Sequence, residues 1–291
     1  MSIPILAGVG AVAPSYDGFI IDVWGVLHDG IRPYPGVLDA LERLKQAGKR
    51  VVVLSNAPRR ADPVAERMAE IGIPRALYDA VHSSGEEVWQ HLRRRDDAFY
   101  AALGRRCFHI GPPRDDGVTA GIDDLVRVDS VAAAEFVLNT GPWGWDTTTD
   151  GYEAVLREAQ ARDLPMVCAN ADLVVMHRGR RMLCAGALAQ RYEELGGRVR
   201  WHGKPYLSVY ATCFALLGVA DRRRILALGD SLRTDIAGAR NAGIDSVLVT
   251  SGIHAEELAL RPGERPDPEK LAAAIADSHV APIAVLPQLA W

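Results

Sequence analysis

The sequence has 291 residues, 48% hydrophobic and 24% charged, with a net charge of −4; this is ordinary globular composition and excludes a disordered or low-complexity chain. Such a balance gives no global attraction for nucleic acid or an anionic membrane, and no uninterrupted apolar stretch reaches the roughly 18 residues of a membrane span. Cys107, Cys168, Cys184 and Cys213 show no C-x-x-C or zinc-type spacing and read as reduced, mostly buried thiols. No basic segment precedes the apolar start, so the expectation is a soluble, cytoplasmic protein.

Taken in order, residues 18–23 form an apolar run that reads as a strand buried on both faces, with Asp22 near its carboxyl end. A carboxylate there is a turn cap, a nucleophile, a metal ligand or both of the last two, since ligands collect at the carboxyl ends of parallel strands. Val37, Leu38, Leu41 and Leu44 make a helical stripe closed by Gly48, and the β-branched run 51–54 is a parallel strand ending at Ser55-Asn56. A helix over 62–71 and a short strand over 80–83 follow. From residue 84 the pattern restarts: helix 86–95, strand 107–110, strand 135–139, helix 150–162 and strand 166–169, joined by Gly/Pro/Asp-rich loops. The fold class is therefore α/β, a core domain of residues 1–83 plus 185–291 with a second α/β unit of residues 84–184 inserted. The first pattern resumes with helices over 186–195 and 205–217, a strand 225–229 ending in Asp230, a helix 235–242 and a strand 246–250. The runs Arg93-Arg94-Arg95 and Arg222-Arg223-Arg224 read as solvated helix ends.

Four strand ends thus carry reactive groups: Asp22, Ser55-Asn56, His202-Gly203-Lys204-Pro205, and Asp230 followed five residues later by Asp235. In this order they resemble the four motifs of the haloacid dehalogenase (HAD) superfamily of phosphohydrolases. Asn170-Ala171-Asp172 and Cys184-Ala185-Gly186-Ala187-Leu188 resemble its class IIA branch, which includes NagD-like and p-nitrophenylphosphatase-like proteins. The resemblance covers nearly the whole chain. It implies a Rossmann-like parallel-sheet core with an inserted C2-type cap, and a Mg²⁺-dependent phosphohydrolase acting on a small phosphorylated metabolite.

Physical chemistry supplies a reason for each residue. Phosphoryl transfer depends on positioning and charge compensation, and clustered carboxylates repel one another unless a hard cation sits among them. Asp22 and Asp230 would hold Mg²⁺ with the backbone carbonyl of Trp24, and Asp235 would bind through water or support the others. Ser55 and the Asn56 N–H would contact phosphate oxygens, while Lys204 would neutralise the cluster. The resemblance makes Asp22 the nucleophile that forms an aspartyl-phosphate.

The chain departs from the family at Trp24, where the usual Asp-x-Asp motif has the carboxylate that shuttles protons. An indole N–H cannot do that, and losing a general acid–base costs ~10²- to 10⁴-fold in rate. His28 and Asp29 follow in the same loop as candidate substitutes. Two readings follow: a phosphatase with an altered proton relay or activated leaving groups, and a weakly active or non-catalytic phosphate-binding protein with a sensing or interaction role. Trp143 and Trp145 in a cap loop either stack on a substrate ring or pack, with packing favoured, and His177, Arg178, Arg180 and Arg181 form a basic turn that faces an anionic substrate or, more plainly, a solvated hairpin. A homodimer through the cap is implied by the resemblance alone. No P-loop, dinucleotide fingerprint or serine elbow is present. Dehalogenation is another superfamily chemistry, but Asp230 and Asp235 favour a metal site and hence phosphate.

Overall fold

The computed structural model describes residues 3–146, 148–177, 180–261 and 263–291. In chain order its elements are β1 (Gly18–Asp22), α1 (Val37–Gln46), β2 (Arg50–Ser55), α2 (Ala61–Glu70), β3 (Ala80–Ser83), α3 (Ser84–Arg94), α4 (Ala98–Ala102), β4 (Arg106–Ile110), β5 (Val126–Val128), β6 (Phe136–Asn139), α5 (Glu153–Ala161) and β7 (Met166–Cys168). They continue with β8 (Val174–His177), β9 (Arg180–Leu183), α6 (Ala185–Glu194), β10 (Val199–Trp201), α7 (Leu207–Leu217), β11 (Ile225–Gly229), α8 (Ala237–Ala242), β12 (Asp245–Val249), α9 (His254–Glu257), α10 (Pro268–Ser278) and β13 (Ala284–Leu286). The chain forms two compact units. One comprises the chain to Ser55, Asp62–His82 and Lys204–Trp291; the other comprises Asn56–Ala61 and Ser83–Gly203.

The first unit is built on a six-stranded sheet of order β13-β12-β11-β1-β2-β3. β1 lies inside it, parallel to both neighbours, with Ile21 opposite Val53 and Leu228, and Asp22 opposite Leu54. All five of its residues are buried, as a strand without a solvent face requires. Ile20, Val52, Leu54 and Ala227 pack with Val209, Tyr210 and Cys213 of α7. A separate cluster joins Leu248 and Val285 to Leu232, Leu271 and Ile275. The α1 stripe is buried at Val37, Ala40, Leu41 and Leu44, and Gly48 supplies the left-handed residue beyond its end, at φ +69°. α7 starts at Leu207 and not at Pro205, because Tyr206 is still extended.

The second unit has a five-stranded parallel sheet of order β10-β7-β6-β4-β5 and a separate antiparallel hairpin, β8–β9. Along β6 the side chains alternate between two cores: Phe136 and Leu138 join Val88, Leu92 and Tyr100, while Val137 joins Leu156, Leu188 and Tyr192. This second cluster moves the return point of the chain. The sequence reading ended the inserted unit at 184, yet Ala185, Leu188, Ala189 and Tyr192 of α6 are buried against this sheet, and β10 pairs with β7. Residues 185–203 therefore pack with the inserted unit, which ends at Gly203. Residues 56–61 pack there too.

Arg95 is not a solvated helix end; its guanidinium donates to the carbonyls of Tyr100, Leu103 and Gly104. Arg180 and Arg181 are exposed in the hairpin, whereas Arg178 lies outside the described residues. All four cysteines are buried, and none forms a disulfide. Among the described residues no helix is long and apolar enough to cross a membrane.

Candidate active site

Three neighbouring carboxyl ends of the first sheet carry two carboxylates and a hydroxyl. Asp22 is the last residue of β1, Ser55 the last of β2, and Asp230 follows directly on β11. Ser231 caps the wide turn after β11 by accepting from the Thr234 N–H, and that turn presents Asp235. One carboxylate oxygen from each of Asp22, Asp230 and Asp235 lies within 4.8 Å of the other two, and all three residues are buried.

Lys204 is buried as well. Its ammonium bonds Asp22 Oδ1, and donates to Asp235 Oδ1 at 2.8 Å and to the Leu54 carbonyl at 3.4 Å. The Ser231 N–H donates to Asp235 Oδ2 at 3.2 Å, so both oxygens of that carboxylate hold protein donors. The Ile253 N–H donates to Asp230 Oδ2 at 2.7 Å. Burial drives the Asp230 pKa well above the carboxylate range, and the charges of Asp22 and Asp235 drive it further. Two glycines make this approach feasible. A Cβ on Gly25 or Gly252 would fall 2.1 Å or 1.8 Å from Asp230 Oδ2. Gly25 also has φ +87°, which only glycine adopts readily.

Trp24 stands in the turn after β1, with its ring edge-to-face on His28 at 5.5 Å between centroids. His28 is buried, and its Nδ1 accepts from the Gly30 N–H at 2.9 Å. The proton of the neutral ring therefore sits on Nε2. Asp29 is spent on the turn itself, accepting from the Ile31 and Arg32 N–H groups at 2.8 and 2.9 Å. Of the two candidate substitutes, only His28 packs against Trp24.

Asn56 belongs to the second unit, where its Nδ2 donates to Asp172 Oδ1 at 2.9 Å and its Oδ1 accepts from Ser84 Oγ at 3.3 Å. Trp143 and Trp145 are 46% and 50% exposed. Trp143 stacks on Tyr152 at 4.8 Å, and the Arg114 guanidinium lies 4.7 Å from the Trp145 ring. Sequence reasoning passed over Glu87 and Tyr100, which are buried with His202: its Nδ1 is 2.8 Å from Glu87 Oε2 and its Nε2 is 2.6 Å from the Tyr100 hydroxyl.

Residues 19–122 match the model of the haloacid dehalogenase-like hydrolases, and residues 201–278 match that of the HAD-hydrolase-like proteins. Rat (Rattus norvegicus) chronophin is 31% identical, over 82% of this chain and 78% of its own. The 4-nitrophenylphosphatase of Schizosaccharomyces pombe is 28% identical, over 94% of each chain. The crystal structure of a haloacid dehalogenase-like hydrolase from Brucella suis superposes with a TM-score of 0.82 at 31% identity, covering 98% of this chain and 100% of that one.

Proposed function

The chain belongs to the haloacid dehalogenase-like hydrolases, and from that premise we propose that it is a Mg²⁺-dependent phosphohydrolase of a small phosphorylated metabolite, working through an aspartyl-phosphate on Asp22. The observation that carries the reading is the cluster of three buried carboxylates with the Lys204 ammonium among them.

The donor set fits a small hard cation, since all its atoms are oxygens and the charge pressure on Asp230 is what a cation relieves. Asp22, Asp230 and the Trp24 carbonyl would hold it. Asp235, whose oxygens already hold protein donors, would bind through water. Once bound, the cation offsets the charge of the phosphoryl oxygens.

A carboxylate is ionised at neutral pH, so Asp22 needs no base to attack phosphorus. The new P–O bond forms as the bond to the leaving oxygen breaks. Water then attacks the phosphorus of the aspartyl-phosphate, releasing inorganic phosphate and restoring the carboxylate. Lys204 keeps Asp22 oriented and offsets negative charge, and Ser55 donates to a phosphate oxygen. No carboxylate at position 24 protonates the leaving group. Aryl and acyl phosphates, whose leaving groups need no proton, are the expected substrates, and the named activity of the S. pombe relative makes 4-nitrophenyl phosphate the first to try.

Phosphate release from that compound is measured with and without Mg²⁺, beside Asp22→Asn. A fall of roughly 10³-fold or more in the variant is expected; equal release by both proteins ends the catalytic reading. Trp24 supports a second reading, a phosphate-binding protein with a sensing or interaction role. It predicts calorimetric binding of inorganic phosphate with Mg²⁺ and no turnover. A homodimer through the second unit and a cytoplasmic location go with either reading; sedimentation equilibrium and cell fractionation measure them.

A further inference from the structure

We infer that Glu87, His91 and His202 form a second cation site, in the inserted unit, selective for a borderline transition ion such as Zn²⁺ over Mg²⁺. Ser83 caps α3 by accepting from the Glu86 N–H at 3.1 Å, which starts the helix so that Glu87 and His91, four residues apart, share one face. His202 follows β10, and Tyr100 comes from α4. One donor atom from each of Glu87, His91 and His202 lies within 4.8 Å of the other two. Around a tetrahedral ion such donors stand roughly 3.4 Å apart. Glu87 Oε2 and His202 Nδ1, now at 2.8 Å, open by about 0.6 Å to admit an ion, and His91, which is half-buried, makes the remaining adjustment.

The surroundings suit an ion. His202 Nε2 meets the Tyr100 hydroxyl at 2.6 Å, the outer hydrogen bond that orients a ligating imidazole. The His91 ring stacks on Tyr100 at 4.9 Å, and its Nδ1 is 3.8 Å from Asp96 Oδ1. Glu87 Oε2 also accepts from the Gly203 N–H at 3.4 Å, which fixes the carboxylate. The Arg200 guanidinium, 6.0 Å from the Tyr100 ring, is paired with Asp97. Burial and the neighbouring His202 both lower the His91 pKa, which favours the neutral ring a metal needs. Two imidazoles with one carboxylate select Zn²⁺, Co²⁺, Ni²⁺ or Cu²⁺, whereas an all-oxygen set selects Mg²⁺. On binding, the ion replaces the hydrogen bond between His202 Nδ1 and Glu87 Oε2, and the ring proton sits on Nε2, facing the Tyr100 hydroxyl.

The test uses the 291-residue chain, stripped with EDTA and held in excess Mg²⁺, titrated with Co²⁺ while the visible ligand-field absorption is followed. The wild type is expected to take up one Co²⁺, lose the bands when Zn²⁺ is added, and melt at a higher temperature with Zn²⁺. His91→Ala and Glu87→Gln are each expected to weaken Co²⁺ by about tenfold or more, with phosphate release in Mg²⁺ unchanged for His91→Ala. Asp230→Asn is expected to bind Co²⁺ like the wild type. Spectra equal to those of free Co²⁺, or equal affinity in His91→Ala and wild type, overturn the inference. So does loss of the bands in Asp230→Asn alone. The Co²⁺ spectra and the melts do not depend on turnover, so they stand whatever the phosphatase assay gives.

Discussion

Lys204 is a buried ammonium held by two buried carboxylates, Asp22 and Asp235, with a third, Asp230, in the same cluster. Removing one partner of a buried charge set leaves the others uncompensated. Lys204→Met is expected to lower the stability of the metal-free protein by about 3–5 kcal/mol, and saturating Mg²⁺ to restore part of it; urea melts with and without the ion measure both. Another pair of groups, in the inserted unit, titrates in opposition. Burial raises Asp115 from 3.8 to about 6, against the pull of Arg59 and Arg114. Burial, then Arg127, lowers His109 from 6.5 to about 4. A carboxyl whose folded pKa is raised favours the fold when protonated, so that stability is lost as pH rises from about 4 to 6. A lowered imidazole favours the fold when neutral, so its stability is lost as pH falls from 6.5 to about 4. Displacements of this size correspond to about 3 kcal/mol each, and in the wild type they nearly cancel. Asp115→Asn is expected to become more stable with rising pH across this window and His109→Gln less stable; chemical melts at several pH values reveal the slopes. Asp22, Ser55, Lys204 and Asp230 were legible in the sequence because each directly follows or ends an apolar run, or sits in a short motif. Glu87 was not. It is one of several charges on an amphipathic helix, and the partner that buries it is 115 positions away.

At the level of elements, the turns after β1 and β12 are as decisive as the strands. Gly25 and Gly252 both abut Asp230 Oδ2, leaving no volume for a methyl group. Gly252→Ala, which has no left-handed backbone to confuse the result, is expected to displace the Asp230 carboxylate and weaken Mg²⁺ at least tenfold, read by calorimetry, with a melting temperature close to wild type in the absence of the ion. The long apolar runs gave their strands away, since burial on both faces demands continuous hydrophobicity. β5 and β10 did not. Each is three residues long, too short to show a period, and Val126 is exposed. Missing β10 also misplaced α6. A helix with Leu188, Ala189 and Tyr192 on one face fits any sheet, and only the pairing of β10 with β7 shows which one it covers.

Across the whole molecule, the order of the strands separates the two units in time. The inserted sheet draws on residues 106–201 only, whereas β1 must find β11, where Gly18 pairs with Ile225. Closing that longer loop carries the larger entropic cost and slows folding. Pulse-labelled hydrogen exchange during refolding is expected to protect β4, β6 and β7 before β1 and β11; simultaneous protection of both sheets would contradict this order.

The place of β1 between β2 and β11 also bears on faulty synthesis. A chain that stops between Ser55 and Ile225 contains Gly18–Asp22 paired to β2 on one side, with the other side of its backbone unpaired and no partner still to come. Such an apolar edge recruits strands from other molecules. Stop codons ahead of the codon for Ile225 should therefore produce insoluble deposits, which the cell must clear, and not a shortened soluble protein.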